Sequence, residues 1–169
     1  MKKVLLAAGM IAALGAFAPV DAGAVTQSVT ANISFDSPLA ITKNADINFG
    51  TVRAGVADTY TISTAGSVSA AGSGAYLYGT TSAASLTITG STSQTISISV
   101  GGYTANGGVT PQNATCAYNG GSSGSCSLSS VAAPGAGKTL LLGVQAVVDG
   151  TQTGGSSAAP TFTVTVVYG

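Results

Sequence analysis

From residue 25 onward the chain is dominated by alternation of apolar and polar residues at a period of two. Val29, Ala31, Ile33 and Phe35 alternate with Thr30, Asn32 and Ser34. A stretch over residues 40–52 contains Ile47, Phe49 and Val52. Tyr60 and Ile62, Leu86 and Ile88, and Ile96, Ile98 and Val100 each alternate with Thr or Ser. Leu140, Leu142, Val144, Ala146 and Val148 mark a longer strand. The sequence closes on Phe162, Val164, Val166 and Tyr168. Such alternation places one side of each strand in a core and the other in water. Gly, Ser, Asn and Pro clusters separate the runs, at residues 66–74, 101–102, 106–108, 135–137 and 154–157. These are turn residues. No stretch beyond residue 24 has a helical period. The pattern predicts an all-β protein, an immunoglobulin-like antiparallel β-sandwich formed by a single domain over residues 25–169.

The first 24 residues read differently. Lys2 and Lys3 precede an apolar run from Val4 to Phe17, followed by Pro19 and the small residues Ala22, Gly23 and Ala24. This is the pattern of a secretory signal peptide over residues 1–24, cleaved before Val25. The run is shorter than the roughly 20 residues that span a bilayer. No integral membrane insertion is therefore expected. A small outer-membrane barrel would need longer strands and aromatic girdles. The expected location is the cell surface or the medium, reached through the periplasm.

Composition narrows the chemistry. Charged residues make up 6% of the chain, against about a quarter in an average soluble protein. There is no His, no Glu and no Trp. A nucleic-acid partner needs a basic surface, and none is present. General acid–base catalysis and metal binding need His or grouped carboxylates and thiols. No enzyme, metal or cofactor is expected. The sequence Gly135-Ala136-Gly137-Lys138-Thr139 matches only the end of a phosphate-binding loop. Ala132 stands where that motif needs its first glycine. We read it as a turn before the Leu140 strand.

Cys116 and Cys126 are the only cysteines. In an exported protein they are expected to form a disulfide. The loop between them contains Asn119-Gly120-Gly121, so the bridge should staple a hairpin or a protruding loop.

The two ends of the chain carry the functional expectation. Residues 25–35 hold no charge and no proline, and Val25, Val29, Ala31, Ile33 and Phe35 share one side. Such a segment can be the first strand of its own sandwich or a donor strand that completes a neighbour's sheet. The C-terminal strand, Phe162, Val164, Val166 and Tyr168, begins after Pro160 and ends on a penultimate tyrosine. With Gly154 and Gly155 upstream, it resembles the chaperone-recognition end of chaperone–usher pilus subunits.

A second resemblance covers nearly all of residues 25–169. The chain is similar to a family of small exported bacterial domains of unknown function, related in pattern to the spore-coat-U-type subunits of archaic chaperone–usher pili. The matching stretches are Ala40-Ile41-Thr42-Lys43, Ile47-Asn48-Phe49-Gly50-Thr51-Val52, the turn at residues 66–73 and Leu86-Thr87-Ile88-Thr89-Gly90. Residues 103–108, Leu141-Leu142-Gly143-Val144 and the terminal strand complete the set. The cysteine pair departs from that pattern, because those subunits tie an early strand into the sandwich. The resemblance implies a structural subunit of a filament, polymerising with copies of itself by strand exchange, with a periplasmic chaperone and an outer-membrane usher as partners. The alternative is a self-complemented, adhesin-like binding domain with Tyr76, Tyr78 and Tyr118 as contact aromatics.

Overall fold

The computed structural model describes residues 25–169. The expected signal peptide lies outside the described residues. Residues 35–169 form one compact unit, and the preceding residues are grouped separately. None of the described residues forms a helix, so none provides one long and apolar enough to cross a membrane.

Twelve strands follow in order: β1 (Ala40–Ala45), β2 (Thr51–Val52), β3 (Ala57–Ile62), β4 (Val68–Ala70), β5 (Tyr76–Tyr78) and β6 (Ala84–Thr89). Then come β7 (Ile96–Thr104), β8 (Val109–Tyr118), β9 (Gly124–Ser125), β10 (Ser127–Val131), β11 (Lys138–Asp149) and β12 (Thr161–Tyr168). Every pairing is antiparallel. One sheet runs β1-β6-β11-β3-β4, with β8 on the other side of β11 and β9 beyond it. The second sheet runs β10-β7-β12, and β2 and β5 form a small pair of their own. The two larger sheets pack as the expected all-β sandwich.

The longest strand organises the fold. Leu140, Leu142, Val144, Ala146 and Val148 of β11 are buried, as their alternation predicts. The N-terminal half of β11 pairs with β6 and the C-terminal half with β3. The change of partner falls at Gly143. A Cβ there would collide with the Ile62 carbonyl, so only glycine allows the two partners to meet. From the other sheet, Ile96 and Ile98 close the core.

Five strands escaped the alternation: β4, which lies inside the cluster read as turn at residues 66–74, the short β5 and β9, and the longer β8 and β10. In β8, Pro111 faces inward, and so do Ala114, Cys116 and Tyr118. The parity changes at Asn113, which has φ 50°. The register against β11 shifts there, and the Asn113 side chain donates to Gln145 Oε1 at 2.8 Å. A bulge adds one residue and reverses the inward set, which erases a period of two. Ser130, at φ 50°, accompanies a similar shift in β10.

The disulfide joins Cys116 to Cys126. The expected hairpin is present, with β9 paired to β8. Both cysteines are also buried in the core. Cys116 lies on β8 in one sheet, and Cys126 immediately precedes β10 in the other. The bridge therefore ties sheet to sheet as well as closing a loop. Replacing both cysteines by alanine is expected to lower stability by about 3 kcal/mol. The measurement is the urea midpoint, read at unchanged slope. An unmoved midpoint would show that the two sheets are held there without the bridge.

Residues 25–35 differ from expectation. Their alternation predicts a strand, yet residues 25–39 carry none. The physical reason is that a strand exists only as part of a ladder, and this segment pairs with none of the described strands.

Candidate functional site

The site is an open side of the sandwich. Among the described residues β12 pairs with β7 alone and β1 pairs with β6 alone. Each leaves one row of backbone donors and acceptors free. The two rows belong to different sheets, and β1 and β12 run in opposite directions. Leu39 lies beside Gly90 at the Tyr168 end of β12, while Lys43 and Phe162 line a common cleft at the other end.

Between these edges the core comes to the surface. Phe162, Val164, Val166 and Tyr168 point inward and pack on the core, but all four are only half-buried. One cleft of about 680 Å³ lies between Lys43, Asp46 and Ile47 on one side and Pro160, Thr161 and Phe162 on the other. Val144 and Ala146 form part of its lining. A second cleft of about 700 Å³ continues from it, sharing Asn48, Phe49, Gly50, Ala146, Ala158 and Pro160. Its lining includes Tyr60, Val109, Val148 and Tyr78. Together they make a groove lined by side chains of the hydrophobic core.

Charge does little to guard this groove. Edge strands are ordinarily protected by lysine, proline or bulges. Here β12 carries no charged residue, and Pro160 stands just before it. On β1 the only charge is Lys43, which pairs with Asp46 at 2.8 Å. Both partners are well exposed, so the pair contributes under about 1 kcal/mol. Two buried polar atoms of the second cleft, Tyr60 Oη and Gln152 Oε1, have no hydrogen-bond partner among the described residues.

The far end of the groove is held by a carboxylate. Asp58 accepts the N–H groups of Thr59 at 2.6 Å, Gly72 at 2.8 Å and Gly74 at 2.5 Å. Desolvation raises the Asp58 pKa, but the N–H groups of Gly74, Thr59, Gly72 and Ala71 outweigh it and hold the carboxyl below its ordinary range. This pins the 71–74 turn close to the Tyr60 hydroxyl.

The end of β12 away from the clefts is held by Tyr168. Its hydroxyl donates to the Ser37 carbonyl at 2.6 Å and accepts the Ser91 N–H at 2.8 Å. Gln94 Nε2 donates to Asp36 Oδ2 at 2.7 Å, and the Ser37 N–H is donated to Asp36 Oδ1. The Ser91 hydroxyl, then the Ser37 N–H, lower the Asp36 pKa against a smaller desolvation effect.

The predicted site residues thus fall into three groups. Phe162 lines the groove, while Val164, Val166 and Tyr168 continue along β12 and pack on the core. Cys116 and Cys126 are in the core. Val25, Val29, Ile33 and Phe35 are 98%, 88%, 77% and 87% exposed, and Ala31 is exposed as well. Of the contact aromatics, Tyr118 is buried, and its hydroxyl donates to the Ala132 carbonyl. Burial raises its pKa, and its role is packing. Tyr76 and Tyr78 remain exposed, with Leu77 between them. Sequence reasoning missed β1, Ala146 and Val148 as parts of the site, because an open edge is a property of sheet order.

Residues 39–168 match the model of a family described as a domain of unknown function, DUF4402. The chain belongs to the DUF4402 family. The match begins at Leu39, beside the Tyr168 end of β12, and runs through that strand, so the whole sandwich is the DUF4402 domain. Residues 25–38 precede the matched span. No curated protein and no solved structure matches the chain. Among the described residues no group of three His, Cys, Asp or Glu side chains is placed to hold a metal.

Proposed function

We propose that this DUF4402 chain is the structural subunit of an extracellular filament or pilus-like fibre. Residues 25–35 of one subunit lie in the β1–β12 groove of the next. The observation that carries this reading is the pairing of opposites within one sequence. An uncharged edge strand borders a groove lined by core side chains, and an uncharged alternating segment that carries no strand has Val25, Val29, Ile33 and Phe35 exposed. Strand addition would give the segment its ladder and give β12 a second partner. It would also bring backbone donors and acceptors to the cleft that holds Tyr60 Oη and Gln152 Oε1. Eleven extended residues span about 37 Å, so the segment can cover the full length of β12, about 27 Å.

Polarity decides whether the assembly is open or closed. The segment joins the sandwich at Ser37, at the Tyr168 end of β12. Inserted antiparallel to the neighbour's β12, it puts the Tyr168 end of the donor against the Phe162 end of the acceptor. That contact is head-to-tail and repeats without closing, which makes a fibre. Inserted parallel, it would bring two Tyr168 ends together and close a two-fold pair. The fibre reading therefore requires antiparallel insertion, with Phe35 at the Phe162 end of β12. The signal-peptide pattern supports export. The resemblance to spore-coat-U-type subunits supports a periplasmic chaperone that covers the groove before assembly and an outer-membrane usher where subunits are exchanged.

The exposed Tyr76-Leu77-Tyr78 run favours a second reading. A self-complemented surface domain would use these side chains to hold a ligand. Sedimentation of the exported protein separates the two. Polymers are expected from the first reading, and a monomer with its first strand in its own sheet from the second.

A further inference from the structure

We propose that Tyr168 is a positioning residue that couples the acceptor groove of a subunit to the direction of that subunit's own donor segment. This rests on the strand-complementation reading above. Tyr168 is the last inward side chain of β12, the strand an incoming donor would pair with, and its ring packs on the core beside Val166. The same side chain reaches past the core to the root of the donor segment. Its hydroxyl holds the Ser37 carbonyl at 2.6 Å and is itself fixed by the Ser91 N–H at 2.8 Å.

The surroundings are built for this reach. Ser91 is fully buried, and its hydroxyl accepts the N–H groups of Ser93 and Gln94. That turn also presents Gln94 to Asp36. A Cβ on Gly90 would sit 2.5 Å from the Tyr168 hydroxyl, so the approach depends on glycine there. Asp36 and Ser37 are thereby tethered twice, once through Gln94 and once through Tyr168.

An edge strand with one partner moves more than a strand paired on both sides. Filling the groove gives β12 its second partner and covers Val166 and Tyr168. The tyrosine then holds Ser37 more firmly, and the donor segment leaves in a fixed direction. A subunit that has been filled is in this way readied to donate. Coupling of this kind favours growth from a filled end and stiffens the fibre.

The test uses the full exported chain carrying Ile33→Asp, which prevents insertion of its own segment. A spin label is placed on Ser34→Cys, next to the root. A synthetic peptide with the sequence of residues 25–35 is titrated in. Binding is expected to slow the label in the Tyr168 chain. In Tyr168→Phe the peptide should bind with the same midpoint while the slowing is lost. Peptide binding by that variant also reports that its sandwich is folded. Equal slowing in both chains, or in neither, overturns the role of Tyr168, as does loss of peptide binding in Tyr168→Phe alone. Failure of the peptide to bind either chain overturns the complementation reading itself.

Discussion

Deleting residues 25–34 should convert the exported protein from polymers into monomers while leaving the sandwich folded. The deleted stretch contributes nothing to the described sheets, since residues 25–39 carry no strand. It does contain four of the five inward-facing candidates for the groove. Burying Val29 and Ile33 alone is worth roughly 1.5–3 kcal/mol each. Losing both weakens assembly by about two to four orders of magnitude, before the ladder of backbone bonds is counted. The check is sedimentation velocity together with thermal unfolding. If the truncated chain assembles as the parent does and melts at the same temperature, residues 25–34 are not the joint between subunits.

The second large effect is expected from Val164→Asp. Val164 sits mid-way along β12, half-buried in the free subunit and packed on the core. Its backbone pairs with Val100 on β7, so the strand itself is kept. In the free subunit the new carboxylate can reach water. Under an inserted donor strand it cannot, and burying it costs about 3 kcal/mol or more. Acceptance should fall at least about 100-fold. The donor segment of the same chain is untouched. Val164→Asp should therefore donate without accepting, whereas the chain lacking residues 25–34 accepts without donating. Mixed, the two should give one-to-one dimers and nothing longer, as read by light scattering. Monomers from the mixture would place the joint elsewhere, and long polymers from Val164→Asp alone would show that β12 is not the acceptor edge.

Much of this was legible in the sequence. Strands that keep a strict period of two, such as β11 and β12, could be read with their inward faces, and so could the disulfide. The reading failed wherever one residue changes the parity. Asn113 does so in β8 and Ser130 in β10, both at positive φ. Nothing in the residue type marks Ser130, and Asn113 is distinguished only as a residue type tolerant of that conformation. The groove was half legible. A missing charge can be read on any one strand, and β12 and residues 25–35 both lack it. That β1 and β12 are edge strands bordering one cleft follows only from sheet order, fixed by contacts between residues far apart in sequence. Tyr168 shows the same limit. As a penultimate tyrosine it stood out at once, yet its hold on Ser37 spans 131 positions.

The central claim is that residues 25–35 lie antiparallel to β12 of a neighbouring copy. Cysteine pairs joined by a short bifunctional maleimide test it most directly in the assembled protein. Ser28→Cys with Val167→Cys should give a ladder of covalently linked oligomers on a denaturing gel, because Ser28 falls near the Tyr168 end of the neighbour's β12. Ser28→Cys with Thr161→Cys should give none. A ladder or a closed dimer from the Thr161 pair would contradict the antiparallel insertion, and linkage confined to single chains from the Val167 pair would contradict a joint between subunits.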